Sequence, residues 1–235
     1  MCFSATASFT AGGVILLGSA FALKQLPTPK SMRFLACIPI IFALHQLSEG
    51  IVWLGIHERI GASLYQAASY FYVLIATAFW PMFIPLSVYM HERSYAKEST
   101  PALRASVLLI TVIIGSVLSL YLWWSFTMYS PINVSANCDS AGHCHSISYL
   151  FDMPYLIGVV DYIYVFIVIL PFVLSNNLYI RYLLGSAFLL SFGVALFISD
   201  DTNYPSIWCF FAAFISLLIY YVLGRRYNSV AREKS

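Results

Sequence analysis

Charge is the scarcest resource in this sequence. Of 235 residues only 9% are Asp, Glu, Lys or Arg, against 60% hydrophobic. A soluble domain carries about 25% charged residues. A chain this poor in charge lacks the polar surface to cover itself in water, and a bilayer resolves the conflict by solvating an apolar exterior. Also lacking is any internal linker rich in glycine, serine or proline, and no repeat divides the chain. A single domain over residues 1–235 follows. A small carrier built from repeated triple helices is not supported. No basic patch stands out, so nucleic acid is not expected as a partner.

Histidine is scarce as well, with five in the chain. Zinc-dependent membrane hydrolases need several histidines within their spans, and only His45 lies deep in an apolar run. A haem held by two histidines would need a second. A retinal Schiff base would need a lysine at depth, and none is present there.

What is abundant is apolar sequence in long runs, at 6–23, 34–55, 64–90, 105–125, 154–174, 178–199 and 206–224. Each approaches the roughly 20 residues that cross about 30 Å of hydrocarbon as a helix. The runs do not alternate as membrane-barrel strands do. An all-α bundle of seven transmembrane helices is expected. FWPMFIP holds Pro81 and Pro85, so the third helix should kink or tilt. The first run has no basic region ahead of it and reads as a retained helix.

Basic residues set the orientation. Eleven of the twelve Lys and Arg fall in odd-numbered connections and the C-terminal tail, leaving only Arg59 on the other side. The positive-inside rule then puts the N-terminus outside and the C-terminus in the cytoplasm, as an odd number of spans requires. The bilayer itself is the expected partner, and anionic lipid suits the inner basic residues.

The longest outer connection contains Cys138 and Cys144 but no Lys or Arg. A local disulfide is the first reading there. A metal site using Cys138, His143, Cys144 and His145 is the rival, although its spacing fits no zinc pattern. Cys2 and Cys209 both lie toward the outer side. They form a candidate disulfide; alternatively, Cys2 is a metal-binding or reactive thiol. No metal set emerges with assurance, and no cofactor is implied.

Two acidic residues lie within the runs, Glu49 and Asp161. A charged group in hydrocarbon costs roughly 2.5–3.5 kcal/mol on insertion scales, so such residues are paired, neutralised or wetted. From the helical rise, Glu49 lies about 9 Å and Asp161 about 10 Å from the outer end of its run. His45 precedes Glu49 by four residues, on the same helix face. Tyr72 lies at similar depth. An outward-facing polar pocket centred on Glu49, His45, Asp161 and Tyr72 is expected, for a small ligand, ion or proton. A membrane enzyme acting on a lipid or quinone-like substrate through Cys2 or a metal is the alternative, and a structural or assembly partner is the third reading.

Three stretches carry a resemblance: MCFSATASF at 1–9, QLSEGIVWLG at 46–55 and IWCFFAAF at 207–214. In these the sequence resembles a family of uncharacterised multi-pass membrane proteins, mostly bacterial, whose members open with Met-Cys-Phe-Ser-Ala. The resemblance implies an integral protein of a bacterial inner membrane and points to Cys2, Glu49, Trp53 and Cys209. It implies no activity. It associates glutamine with the position of His45, which weakens any metal chemistry resting on that residue.

Overall fold

In the computed structural model, residues 4–25, 32–95, 102–129, 132–138, 140, 144–150, 159–198 and 204–233 are described. They form helices α1 (Ala5–Gln25), α2 (Arg33–Ile56), α3 (Ala62–Val73), α4 (Trp80–Tyr95) and α5 (Ala102–Met128). Strands β1 (Asn133–Cys138) and β2 (Cys144–Leu150) follow. The chain ends in helices α6 (Val159–Leu174), α7 (Gly185–Ile198), α8 (Tyr204–Ser216) and α9 (Leu218–Glu233).

Among the described residues, six helical stretches are long and apolar enough to cross a membrane: Ala5–Gln25, Arg33–Ile56, Ala62–Arg93, Leu103–Met128, Tyr179–Phe197 and Ile207–Arg225. Each matches one of the apolar runs to within a few residues. The run at 154–174 is described only as α6, Val159–Leu174. At 1.5 Å per residue its 16 residues reach about 24 Å, short of a full hydrocarbon core.

Among the described residues, the connection between α5 and α6 departs from helix. There β1 and β2 pair antiparallel, from Asn133 opposite Leu150 to Cys138 opposite Cys144. Backbone beyond the spans must find its own partners, and a hairpin supplies them. Its register slips between Asn137 and Cys138, beside the Cys138–Cys144 disulfide that closes its end.

Helix α2 is the most buried of the six stretches and packs against α1, α3, α4, α8 and α9. Small residues let α1 approach it. A Cβ on Gly12 would stand 2.8 Å from Leu47, and one on Gly50 would stand 2.8 Å from Phe9. Helices in lipid gain their association energy from such close contact, since burial of apolar surface is no gain there. The outer faces are apolar. Leu17, Phe21, Val117, Leu120 and Phe197 are all more than 60% exposed, a surface suited to hydrocarbon rather than to water.

The expected kink at Pro81 takes the form of a π-helical turn, Leu74–Phe79, between α3 and α4. Pro81 has no N–H for the carbonyl five residues before it, Ala76. The Tyr164 hydroxyl of α6 donates to that carbonyl instead, at 2.5 Å. Across the kink, α5 fits Gly115 directly over the Pro81 carbonyl. On α2, the Tyr220 hydroxyl of α9 donates to the Ala36 carbonyl at 2.8 Å.

At the opposite end of α4, the buried Glu92 carboxylate accepts from Ser175 Oγ at 2.5 Å and from the Asn176 N–H at 3.1 Å. Arg181 Nε donates to the Ser175 carbonyl at 2.8 Å. This latch holds the α6–α7 connection against α4.

Two substitutions test these contacts by unfolding in detergent micelles. Gly115→Ala should destabilise the fold by about 1–3 kcal/mol, because the methyl would overlap the Pro81 carbonyl. Glu92→Ala should cost about 1.5–3 kcal/mol for each charged hydrogen bond lost. Wild-type stability in either variant would show that the corresponding contact is not made.

Candidate functional site

Helix α2 presents an unusual face in its C-terminal half. At about 100° per residue, His45, Gln46, Glu49 and Trp53 fall within an arc of about 100°. All four are fully buried at 0% exposure, in a segment whose other residues are largely apolar. Ser48, on a neighbouring face, turns its hydroxyl back onto the His45 carbonyl at 2.7 Å.

Helix α3 supplies the facing wall. His45 Nε2–H donates to the Tyr72 carbonyl at 3.2 Å, and the two rings stack with centroids 4.1 Å apart. Because a carbonyl can only accept, Nε2 carries the proton, and in the neutral ring Nδ1 presents its lone pair inward. Tyr149 of β2 stacks on the other side of Tyr72, centroids 4.4 Å apart. His45, Tyr72 and Tyr149 thus form a three-ring pile linking α2, α3 and the hairpin. Stacked pairs contribute about 0.5–1.5 kcal/mol each beyond their buried area.

Helix α8 closes the third side. The Cys209 thiol lies within hydrogen-bond reach of the Tyr72 hydroxyl and within electrostatic range of the Glu49 carboxyl. Beyond it a void of about 10 Å³, walled by Phe42, Trp80, Tyr164 and Trp208, separates α8 from α4 and α6.

The hairpin is the cap. Ile147 is 1% exposed and packs with Val52, Trp53 and Ala68. Asn137 Nδ2 donates to Ser148 Oγ at 2.7 Å and to Ser146 Oγ at 3.3 Å, bracing the strands. The expected pocket is therefore covered, with Glu49 and His45 at 0% and Tyr72 at 1% exposure.

Of the residues expected at the site, Glu49, His45 and Tyr72 come together. Asp161 does not join them. It lies exposed in the first turn of α6, at one end of a groove between α6 and α7. A matching depth fixes position along a helix but not around it, and α6 turns this carboxylate outward. Cys209 carries a free thiol, and Cys2 lies outside the described residues. Cys138 and Cys144 are joined, so the rival metal set has lost two thiolates; His143 lies outside the described residues. Among the described residues no group of three His, Cys, Asp or Glu side chains is placed to hold a metal ion.

Some of the chemistry was not foreseen. Among the described residues, His45 Nδ1, both amide atoms of Gln46 and Trp53 Nε1 are buried without a hydrogen-bond partner. Each such group costs about 1–3 kcal/mol when left unmet. Gln46 was visible only as polarity in the turn HQLSEG, and nothing in the sequence brought Cys209 to Tyr72.

If the hairpin is the lid, its disulfide controls access to Cys209. In a Cys2→Ser/Cys37→Ser background, Cys209 should react slowly with a membrane-permeant maleimide. Adding Cys138→Ser/Cys144→Ser should speed that labelling about ten-fold or more, given the ~2 kcal/mol that a short-loop disulfide supplies. Equal rates would show that the hairpin does not cover the site.

No curated protein and no solved structure matches this chain. One family model does, described as a family of unknown function, DUF6629, and it matches residues 1–234. The match spans all three stretches that carried the resemblance as well as the elements that build the site, and the chain belongs to the family DUF6629.

Proposed function

We propose that this is a seven-span membrane protein whose capped polar cluster binds or moves a small polar ligand, ion or proton. In this reading the run 154–174 is the remaining span, with Val159–Leu174 as its described part. The eleven-to-one split of basic residues supports an N-terminus outside and a C-terminus in the cytoplasm. The cluster then belongs to the outer part of the bundle, and the bacterial inner membrane is its proposed location.

The carrying observation is the set of unmet polar atoms on one face of α2. His45 Nδ1 and Gln46 Oε1 accept; Gln46 Nε2 and Trp53 Nε1 donate. Glu49 adds a carboxyl to the same face. A bare anion would meet the Glu49 charge, and a bare cation would leave Trp53 N–H unmet. The mixture favours a species that both donates and accepts, such as a small hydroxylated or amide-bearing molecule, or a proton carried through bound water. Tyr149 and Ile147 stand over the cluster, so exchange with the outside requires the hairpin to lift.

The assembly reading draws on the ring pile, which also ties the hairpin to the bundle. The enzymatic alternative, through Cys2 or a metal, draws no support from the described residues.

Reconstituted vesicles separate the first two readings. Wild type should move protons across a pH gradient, or take up a small polar solute with a pH-dependent rate, and Glu49→Gln should reduce that rate at least about ten-fold while folding normally. Equal rates in the two proteins would remove Glu49 from the mechanism. A Glu49→Gln protein that fails to fold would favour the assembly role.

A further inference from the structure

On the far side of α6 from the bundle core lies a groove of about 590 Å³, formed with α7. Its walls are apolar, with Val165, Ile169 and Val173 from α6 and Leu189 and Phe192 from α7. Asp161 lines one end, and no basic side chain lines it among the described residues. From Asp161 to Val173 the groove follows about 18 Å of helix. One leaflet of a bilayer is about 15 Å of hydrocarbon. Leu189 and Val173 are 55% and 45% exposed, so the groove opens outward to whatever solvates the helices.

We infer that this groove is a lipid site, taking one acyl chain of an aminophospholipid whose ammonium headgroup meets Asp161. The length suits an acyl chain confined to a single leaflet, with Asp161, in the first turn of α6, at the interface rather than at the depth of about 10 Å expected from the run 154–174. Asp161, the one carboxylate among the described residues that line the groove, selects the headgroup, since an ammonium gives it a charge-assisted hydrogen bond and an anionic headgroup repels it. A carboxylate on an otherwise apolar, membrane-facing wall is costly unless it lies at the interface with such a partner. The site rests on the bilayer reading but not on any role for Glu49.

Native mass spectrometry of the full chain tests it, with phosphatidylethanolamine and phosphatidylglycerol of identical acyl chains offered in equal amounts. Fractionation of the expressing cells comes first. A chain found in the soluble fraction would overturn the bilayer reading itself. For the membrane-extracted protein, bound phosphatidylethanolamine should exceed phosphatidylglycerol by about two- to five-fold, as for an exposed ion pair. Asp161→Asn should bring that ratio to about one while total bound lipid stays constant. Leu189→Trp should fill the wall and lower total bound lipid with either headgroup. Both residues are exposed, so neither change disturbs the core. An unchanged ratio in Asp161→Asn, undiminished lipid in Leu189→Trp, or a second copy of the chain in place of lipid would each overturn the inference.

Discussion

Hydrocarbon offers no hydrogen bonds, so each backbone polar group in a crossing helix must find its partner within the protein. Pro81 opens one such gap, and the Ala76 carbonyl takes the Tyr164 hydroxyl. The Ala36 carbonyl of α2 takes the Tyr220 hydroxyl. Both tyrosines come from helices far along the chain, so each bond fixes a distant helix at a particular height. The fit of Gly115 over the Pro81 carbonyl works the same way, admitting α5 where the backbone is most open.

Against that background the cluster on α2 stands out. Hydroxyls such as Thr77, Ser87 and Thr111 are answered by carbonyls of their own helix, while scattered buried groups such as Ser8 Oγ and Trp80 Nε1 are not. On the His45–Trp53 face several unanswered atoms share one helix: His45 Nδ1, the Gln46 amide and Trp53 Nε1. The hairpin covers this region, fastened by stacking at Tyr149, by packing at Ile147 and by a disulfide at its tip. A closed lid above unmet polar groups fits regulated access better than a permanently open pocket.

The apolar runs made six of the helical stretches legible, because twenty apolar residues in succession have few other uses. The seventh was less so: α6 is described over only 16 residues. The i, i+4 spacing of His45 and Glu49 revealed one wall of the site, and shared depth added Tyr72. Depth failed for Asp161, since it carries no information about rotation around the helix axis. The hairpin went unread because Ser146 and Ser148 hide its alternation: small polar residues share the buried strand with Ile147. Glu92 stands between His91 and Arg93 near the end of α4, and only the fold brings Ser175 and Asn176 to its carboxylate. Cys209 was singled out by its position, as a candidate partner of Cys2, and by resemblance, but its contact with Tyr72 depends on how α8 seats against α2.

The central claim is that the face of α2 under the hairpin holds a polar species. An experimental structure of the chain in lipid nanodiscs, resolved well enough to show ordered water, tests this most directly. Density within hydrogen-bond distance of both His45 Nδ1 and Trp53 Nε1, beneath a closed hairpin, is the predicted result. Direct bonds from those atoms to protein groups, with no density between them, would contradict the account.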